Sequence, residues 1–427
     1  QPCPLYGQDL PAPTSLSTSN VFQAATSSLN SQLAGTLNGT SNATSLFGTL
    51  DTEATAFSVE FFSLSEDDPL FTYHYTPSLF SQNNTGVAWV NSDSVYRIGS
   101  VSKLWTVYLY LITAGDGSWN DPITKYVPEL EAIAKTQKSD PVNNVNWNSI
   151  TIGALASQLA GIGRDAVYSP QLASTLELLG IPNQGGNNHS TCGSLSLDIM
   201  TPCNRSQFFT DYPTQHPVVS AFQTPIYSNA AYQILSYAIE NITGQTMEAI
   251  FDQHLVADLN LTSTSYAAPN TTTNAVIPPF DTTISWFSAD LHDETPAGGY
   301  YSSINDIRAI SKAMLSSAQL DPAVTRRWMK PHSLLSNPDA MVGAPWELQR
   351  APGSPYLMMM TKSGDVGIYA SYVVLVPELE VGFTVLTAGA GYQANVEILA
   401  DVLAAVLVPA ARAAARDEAK AKYEGVY

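Results

Sequence analysis

Cationic side chains are scarce in this 427-residue chain: nine lysines and nine arginines face 37 acidic residues, a formal charge of −19. An acidic surplus of this size repels polyphosphates over most of the surface, which excludes nucleic acid as a partner. The six histidines (74, 189, 216, 254, 292 and 332) are scattered and show no zinc-site spacing. Neither a metal nor a cofactor is expected. Long apolar runs are missing as well. Even LWTVYLYLITAG (104–115) is stopped by Asp116 and Gly117, short of the roughly 20 residues a membrane helix needs, so no membrane span is expected. Of only three cysteines, Cys192 and Cys203 lie eleven positions apart in a polar stretch and are expected to close a disulfide, which leaves Cys3 without a partner.

What remains is the composition of an ordered protein, 44% hydrophobic, 10% aromatic and only 13% charged. The length suits two or three domains, or one large fold whose two lobes share a cleft. The chain opens at QPCPLYG without Met, as expected once a signal peptide has been removed. Sequons occur at Asn38, Asn42, Asn83, Asn188, Asn204, Asn241, Asn260 and Asn270. Together these features point to a secreted eukaryotic glycoprotein.

Along the chain, residues 15–47 carry Val21, Phe22, Leu29, Leu33 and Leu37 at a loose helical period, which predicts one amphipathic helix. AFSVEFFSL (56–64) and LFTYHYTP (70–77) flank the acidic turn SEDD and read as a β-hairpin. From 99 to about 290 helices alternate with long Gly/Pro/Asn-rich loops. YLMMMTKSG, GIYASYVVLVPE and VGFTVLTAG then give three further strands, and an alanine-rich tail (393–426) forms a helix that Pro409 should kink or divide. The fold class is therefore α+β. An antiparallel sheet flanked by helices, from residues 1–98 and 296–427, receives an inserted, mainly helical lobe of residues 99–295, and the active site is expected in the cleft between the two.

The chemistry is carried by three short motifs. Between Arg97 and Asp116 the only charged residue is Lys103, three positions after Ser100. On a helix the two share a face, and an amine in an apolar site has a lowered pKa and can activate a neighbouring hydroxyl. Ser-x-x-Lys and Tyr-x-Asn (Tyr227, Ser228, Asn229) are each expected about once by chance in such a chain, whereas Lys-[Ser/Thr]-Gly (Lys362, Ser363, Gly364) is expected only about a tenth of a time. The bland readings are a capping serine beside an exposed lysine, a tyrosine at a loop-to-helix junction and a turn after a strand.

In this order and context the motifs resemble those of the serine β-lactamase and penicillin-binding-protein superfamily, particularly the class C-like branch and secreted fungal β-lactamase-like proteins. YRIGSVSK, WNDPITKYVPEL, ITIGALASQLAGIG, TPIYSNAAYQILSYAIENITG, PAGGYYSS and TKSGDVGIYASYVVLVPE carry the likeness, over about residues 56–385. The resemblance implies a β-lactamase/transpeptidase-like fold and an acylated Ser100, with Lys103 and Tyr227 moving its proton. It implies that Asn229 touches the substrate amide, and that Lys362 and Ser363 face a substrate carboxylate and the tyrosine oxygen. The N–H groups of Ser100 and Asp365, the latter just after Gly364, would form the oxyanion hole. No Glu-x-x-Leu-Asn segment is present, so deacylation falls to Tyr227 or Lys103, and SQLAG stands where His-Thr-Ser-Gly is usual. Fungal relatives are expected to continue past KYEGVY into a small β-domain. The expected activity is hydrolysis of an amide, lactam or ester of a small molecule or peptide. The alternatives are acyl transfer or cyclisation through the same acyl-serine, and a non-catalytic binding glycoprotein.

Overall fold

The computed structural model describes residues 10–40, 44–45, 48–80, 86–165, 180, 203–270, 272–279, 285–354 and 356–425. Its N-terminal helix α1 (Asn20–Leu37) buries Phe22, Leu29 and Leu33 at helical spacing. It is shorter than expected because Gly39 turns left-handed (φ +68°) and its N–H bonds back to the Thr36 carbonyl. A small hairpin of β1 (Thr44–Ser45) and β2 (Gly48–Thr49) follows.

β3 (Thr55–Ser63) and β4 (Phe71–Tyr75) pair antiparallel, as the hairpin pattern predicts. The helical segment then runs through α2 (Ser102–Ala114), α3 (Pro128–Thr136), α4 (Ile152–Ala156), α5 (Arg205–Asp211), α6 (Ala230–Thr243), α7 (Met247–Phe251) and α8 (Thr295–Gly298). A two-stranded ribbon of β5 (Tyr96–Arg97) and β6 (Tyr301–Ser302) brackets it, and α9 (Ile304–Ser316) and α10 (Pro322–Trp328) lead back to the sheet. There β7 (Ser333–Leu334), β8 (Ala340–Val342) and β9 (Glu347–Arg350) precede β10 (Met358–Val366), β11 (Tyr369–Val376) and β12 (Val381–Gly389). The last three are the strands read from the sequence; β7 to β9 were not anticipated.

Among the described residues the sheet order is β4-β3-β12-β11-β10-β9-β8-β7, antiparallel throughout. Its central strands are buried on both faces, which is why GIYASYVVLVPE reads as a nearly continuous apolar run. Side chains alternate between two cores. Phe57, Val59 and Phe61 pack with Phe383, α1 and the C-terminal helix, while Tyr369, Val373 and Leu375 join Trp105 and Tyr232 of the helical lobe.

The tail forms one helix, α11 (Tyr392–Tyr423), with Pro409 inside it rather than dividing it. Interior proline costs about 3 kcal/mol, but α11 buries Ile398, Leu399, Leu403, Leu407 and Val408 against the sheet and α1, and that packing overrides the local preference. By length and composition α11 would reach across a membrane, unlike the shorter apolar runs read from the sequence, and two thirds of its most apolar window (67%) is buried inside the protein. Cys203 is disulfide-bonded. Cys3 and Cys192, and with them the expected pairing, lie outside the described residues.

Candidate active site

β9 pairs with only the first half of β10, from Met358↔Arg350 to Thr361↔Glu347. The remaining residues of β10, Lys362–Val366, are open on that side, and the 3-10 turn Gly99–Val101 docks there. The approach is close enough to require glycine on both partners. A Cβ on Gly364 would lie 2.4 Å from the Ile98 carbonyl and 2.7 Å from the Ser100 nitrogen, and one on Gly99 (φ +50°) would lie 2.5 Å from the Asp365 nitrogen. The Ser371 hydroxyl donates to the Ile98 carbonyl at 2.6 Å and anchors the turn from β11.

Ser100 belongs to this turn, directly before α2. That helix is buried on every side from Ser102 to Leu111, as its apolar sequence requires. Ser102 and Thr106 tie it to the segment around α8, accepting from the Tyr300 N–H (3.1 Å) and donating to the Pro296 carbonyl (2.8 Å). Lys103, on its first turn, is fully buried. Its ammonium donates to Ser100 Oγ (3.0 Å), Asn229 Oδ1 (2.6 Å) and the Ala297 carbonyl (2.5 Å), which accounts for all three N–H donors.

Tyr227 arrives from the loop before α6. The segment 158–164 holds that loop: Gln158 Oε1 accepts from the Ser228 N–H (2.8 Å), the Gly163 carbonyl from the Ser228 hydroxyl (2.7 Å), and the Arg164 carbonyl from the Asn229 N–H (2.8 Å). Tyr227 then donates its hydroxyl to Ser100 Oγ at 2.7 Å. Three cations surround its ring: Lys103 Nζ at 4.9 Å, Arg164 Cζ at 5.1 Å and Lys362 Nζ at 5.5 Å from the centroid. Burial pushes the phenol up, yet Lys103 and Lys362 outweigh it and hold Tyr227 below the usual tyrosine range. Burial likewise pulls the Lys103 ammonium below the ordinary lysine value.

Ser100, Lys103, Tyr227 and Lys362, spread over 263 positions of sequence, thus meet at one hydroxyl and one phenol ring. Asn229 meets them too, with both ends engaged: Oδ1 accepts from Lys103 and Nδ2 donates to Asp165 Oδ1 at 2.6 Å. Two participants went unnoticed in the sequence. Arg164 is one. The other is Glu347, the first residue of β9, whose carboxylate accepts from Lys362 Nζ (2.5 Å), the Ser363 N–H (2.9 Å) and the Ser363 hydroxyl (2.9 Å). Burial acts to strip the proton from Lys362, but Glu347 and Tyr227 hold its pKa above the ordinary lysine value. The Ser363 N–H points away from β11 towards Glu347, so strand alternation turns the Asp365 N–H to the same open side, towards Ser100.

A cavity of about 320 Å³ opens over Ser100, walled by Arg164, Asp165, Asn229, Glu294, Asp365 and Tyr392 among others. Residues 166–179 and 181–202, within the long Gly/Pro/Asn-rich loops read from the sequence, lie outside the described residues. Among the described residues no group of His, Cys, Asp and Glu is arranged to hold a metal ion.

The family model described as Beta-lactamase matches residues 75–407. A beta-lactamase-like protein of Arthroderma benhamiae is 31% identical over all of this chain and 69% of its own length. A "probable hydrolase" of Phoma sp. is 28% identical over 83% of the chain, which spans only 58% of that relative. A D-alanyl-D-alanine-carboxypeptidase/endopeptidase of Escherichia coli is 23% identical over 69% of the chain and 71% of its own length. In fold, the crystal structure of a beta-lactamase/D-alanine carboxypeptidase from Yersinia pestis superimposes with a TM-score of 0.62 at 17% identity, covering 91% of this chain and all of the other. The chain belongs to the beta-lactamase family, within the serine β-lactamase and penicillin-binding-protein superfamily, and is a serine hydrolase.

Proposed function

We propose that this protein cleaves an amide, lactam or ester bond of a small molecule or peptide through an acyl-enzyme on Ser100. The observation that carries the reading is the double contact at Ser100 Oγ, with Tyr227 OH at 2.7 Å and Lys103 Nζ at 3.0 Å, beneath an open cavity. A hydroxyl attacks a carbonyl only as its proton leaves, and the cations around Tyr227 favour the phenolate that can take it. As the Ser100 Oγ–carbonyl bond forms, negative charge grows on the carbonyl oxygen, for which the N–H groups of Ser100 and Asp365 are the oxyanion donors. Such donors are typically worth about 3 kcal/mol each. The tetrahedral adduct collapses by expelling the leaving amine or alkoxide, which takes the proton from Tyr227. Water then attacks the ester carbonyl, giving its proton to Tyr227, and Ser100 recovers a proton as the acid departs. Lys103 keeps Ser100 and Asn229 in place, and Lys362, its Nζ 5.5 Å from the ring centroid, favours the phenolate.

Secretion is part of this reading. Among the described residues every sequon asparagine, Asn38, Asn204, Asn241, Asn260 and Asn270, is exposed, and Cys203 is disulfide-bonded. The test of the chemistry is covalent capture, with intact protein weighed after exposure to a fluorophosphonate and to a fluorescent penicillin. One adduct, located on Ser100 and absent from Ser100→Ala, is expected with at least one reagent. An unmodified Ser100 under both refutes the proposal.

A further inference from the structure

The polar groups of the cleft are distributed unevenly between those already satisfied and those left over. Lys103 has all three donors engaged, and Lys362 donates to Glu347 Oε1 and to the Ser363 carbonyl (2.7 Å). The Ser363 hydroxyl and N–H both point to the Glu347 carboxylate. The cation and hydroxyl that would greet a substrate carboxylate therefore already hold one, supplied by the chain itself. At the cavity wall the charged residues are Arg164, Asp165, Glu294 and Asp365. Arg164 is paired with Asp165 (Nε to Oδ2, 3.2 Å), and Asn229 donates to the other Asp165 oxygen. Glu294 and Asp365 remain, each with a carboxyl group that has no hydrogen-bond or ion-pair partner among the described residues.

These two acids occupy different environments. Glu294 is set into the wall on the turn before α8, two residues ahead of the Pro296–Ala297 segment that receives Thr106 and Lys103. Asp365 is exposed at the open edge of β10, beside the proposed oxyanion donor. Burial and the nearby Asp165 push the Glu294 carboxyl up to about 7, and the partial loss of hydration at the edge of the cleft, with Glu347 nearby, raises Asp365 against the pull of Lys362, so both acids hold their negative charge less readily than in water. A cation bound in the cleft relieves that strain, whereas an anion adds to it.

We propose that the acyl donor handled at Ser100 carries a protonated amine, which the carboxylates of Glu294 and Asp365 receive inside the cleft. At about 320 Å³ the cavity is at the small end for ligand pockets. The substrate class is thus a small amide, lactam or ester with a free amine near its acyl carbon, rather than a carboxylate-bearing one. This specificity rests on the acyl-serine reading above and is tested separately from it.

The experiment uses p-nitroanilides of D-alanine, L-alanine, β-alanine and 6-aminohexanoate, each with the amine free, acetylated or succinylated. Fluorophosphonate capture at Ser100 runs alongside as a charge-neutral measure of an intact site. For at least one chain length the free amine is expected to exceed its acetylated counterpart in kcat/KM by about tenfold or more, as a charge-assisted hydrogen bond implies, with the succinylated form slower still. That ratio falls towards one in Glu294→Gln and in Asp365→Asn, both judged only as protein that still captures fluorophosphonate. Protein that is captured at Ser100 yet prefers acetylated or succinylated substrates, shows no preference, or cleaves none of them overturns the amine assignment alone. Protein that is not captured by the fluorophosphonate or by a penicillin overturns the acyl-serine reading instead.

Discussion

Glu60 offers a stability prediction that can be worked through from its surroundings. It lies mid-strand in β3, opposite Thr72 of β4 and Thr384 of β12, and is 1% exposed. Neither carboxyl oxygen has a hydrogen-bond partner, and Thr384 Oγ1 beside it is also unsatisfied. The cations of α9 compensate little: Arg308 Nη1 makes only a 3.6 Å ion pair with Glu60 Oε1 while its other terminal nitrogen donates to Asn305, and Lys312 Nζ donates to the Glu66 carbonyl at 2.6 Å. Burial therefore wins over Arg308 and Lys312 and pushes Glu60 from 4.5 up to about 7. A tenfold change in proton affinity is worth about 1.4 kcal/mol, so the ionised carboxylate burdens the fold by about 3 kcal/mol at pH 8. The sign follows from proton counts. Between about pH 4.5 and 7 the folded protein holds the proton that the unfolded chain has released, so this contribution to stability falls as pH rises through that window and is level outside it. Glu60→Gln removes the titration and keeps the shape. Relative to the parent, the variant should gain about 3 kcal/mol on going from pH 4 to pH 8, measured by urea unfolding followed through tryptophan fluorescence at several pH values. Glu294 and Glu397, also raised to about 7, act equally in both proteins and cancel in the difference. A parent–variant difference that is the same at pH 4 and pH 8, or that moves the other way, would refute the argument.

At the candidate active site, Tyr227→Phe should lower the rate of Ser100 acylation by about 10²- to 10⁴-fold. In the parent, the acidic limb of kcat/KM should lie below the usual tyrosine range, and Lys362→Gln should move it to higher pH by removing one of the cations that favour phenolate; a limb unchanged by that substitution would separate Lys362 from Tyr227. Glu347→Gln should move the alkaline limb to lower pH, because burial then acts on Lys362 without its counter-ion, and a pH–rate profile would show this directly. Gly364→Ala places a Cβ 2.7 Å from the Ser100 nitrogen, so fluorophosphonate labelling of Ser100 should slow by about 10²-fold. Labelling at the parental rate would mean that the 3-10 turn yields freely.

The parts legible in the sequence were those with strong local signals. β3, β4 and β10 to β12 are five to nine residues long, apolar and bounded by turns, so each announces itself without reference to its neighbours. Lys103 is legible for a related reason: a charge inside an otherwise apolar helix is costly to bury unless it is paired, and so calls for an explanation. What the sequence obscured was partnership across the sheet. β7, β8 and β9 span two to four residues each, too short for period-two alternation to register, and Gly343 and Pro345 interrupt the run that carries the last two.

Glu347 was lost with them. The requirement for such a residue could still have been deduced, since Lys362 lies on a strand whose neighbours Met359, Met360 and Thr361 are buried, and a buried ammonium needs an anion within reach. With 37 acids in the chain, the identity of that anion is a matter of register, decided only when Glu347 comes to lie opposite Thr361. The motif Lys362-Ser363-Gly364 thus discloses a cation without disclosing whether the cation is free. In the folded protein it is held by Glu347, while Glu294 and Asp365, whose carboxyl groups have no hydrogen-bond or ion-pair partner among the described residues, line the cleft. On the amine proposal, the side chains left to meet a substrate there carry the charge opposite to the one the motif suggests by itself.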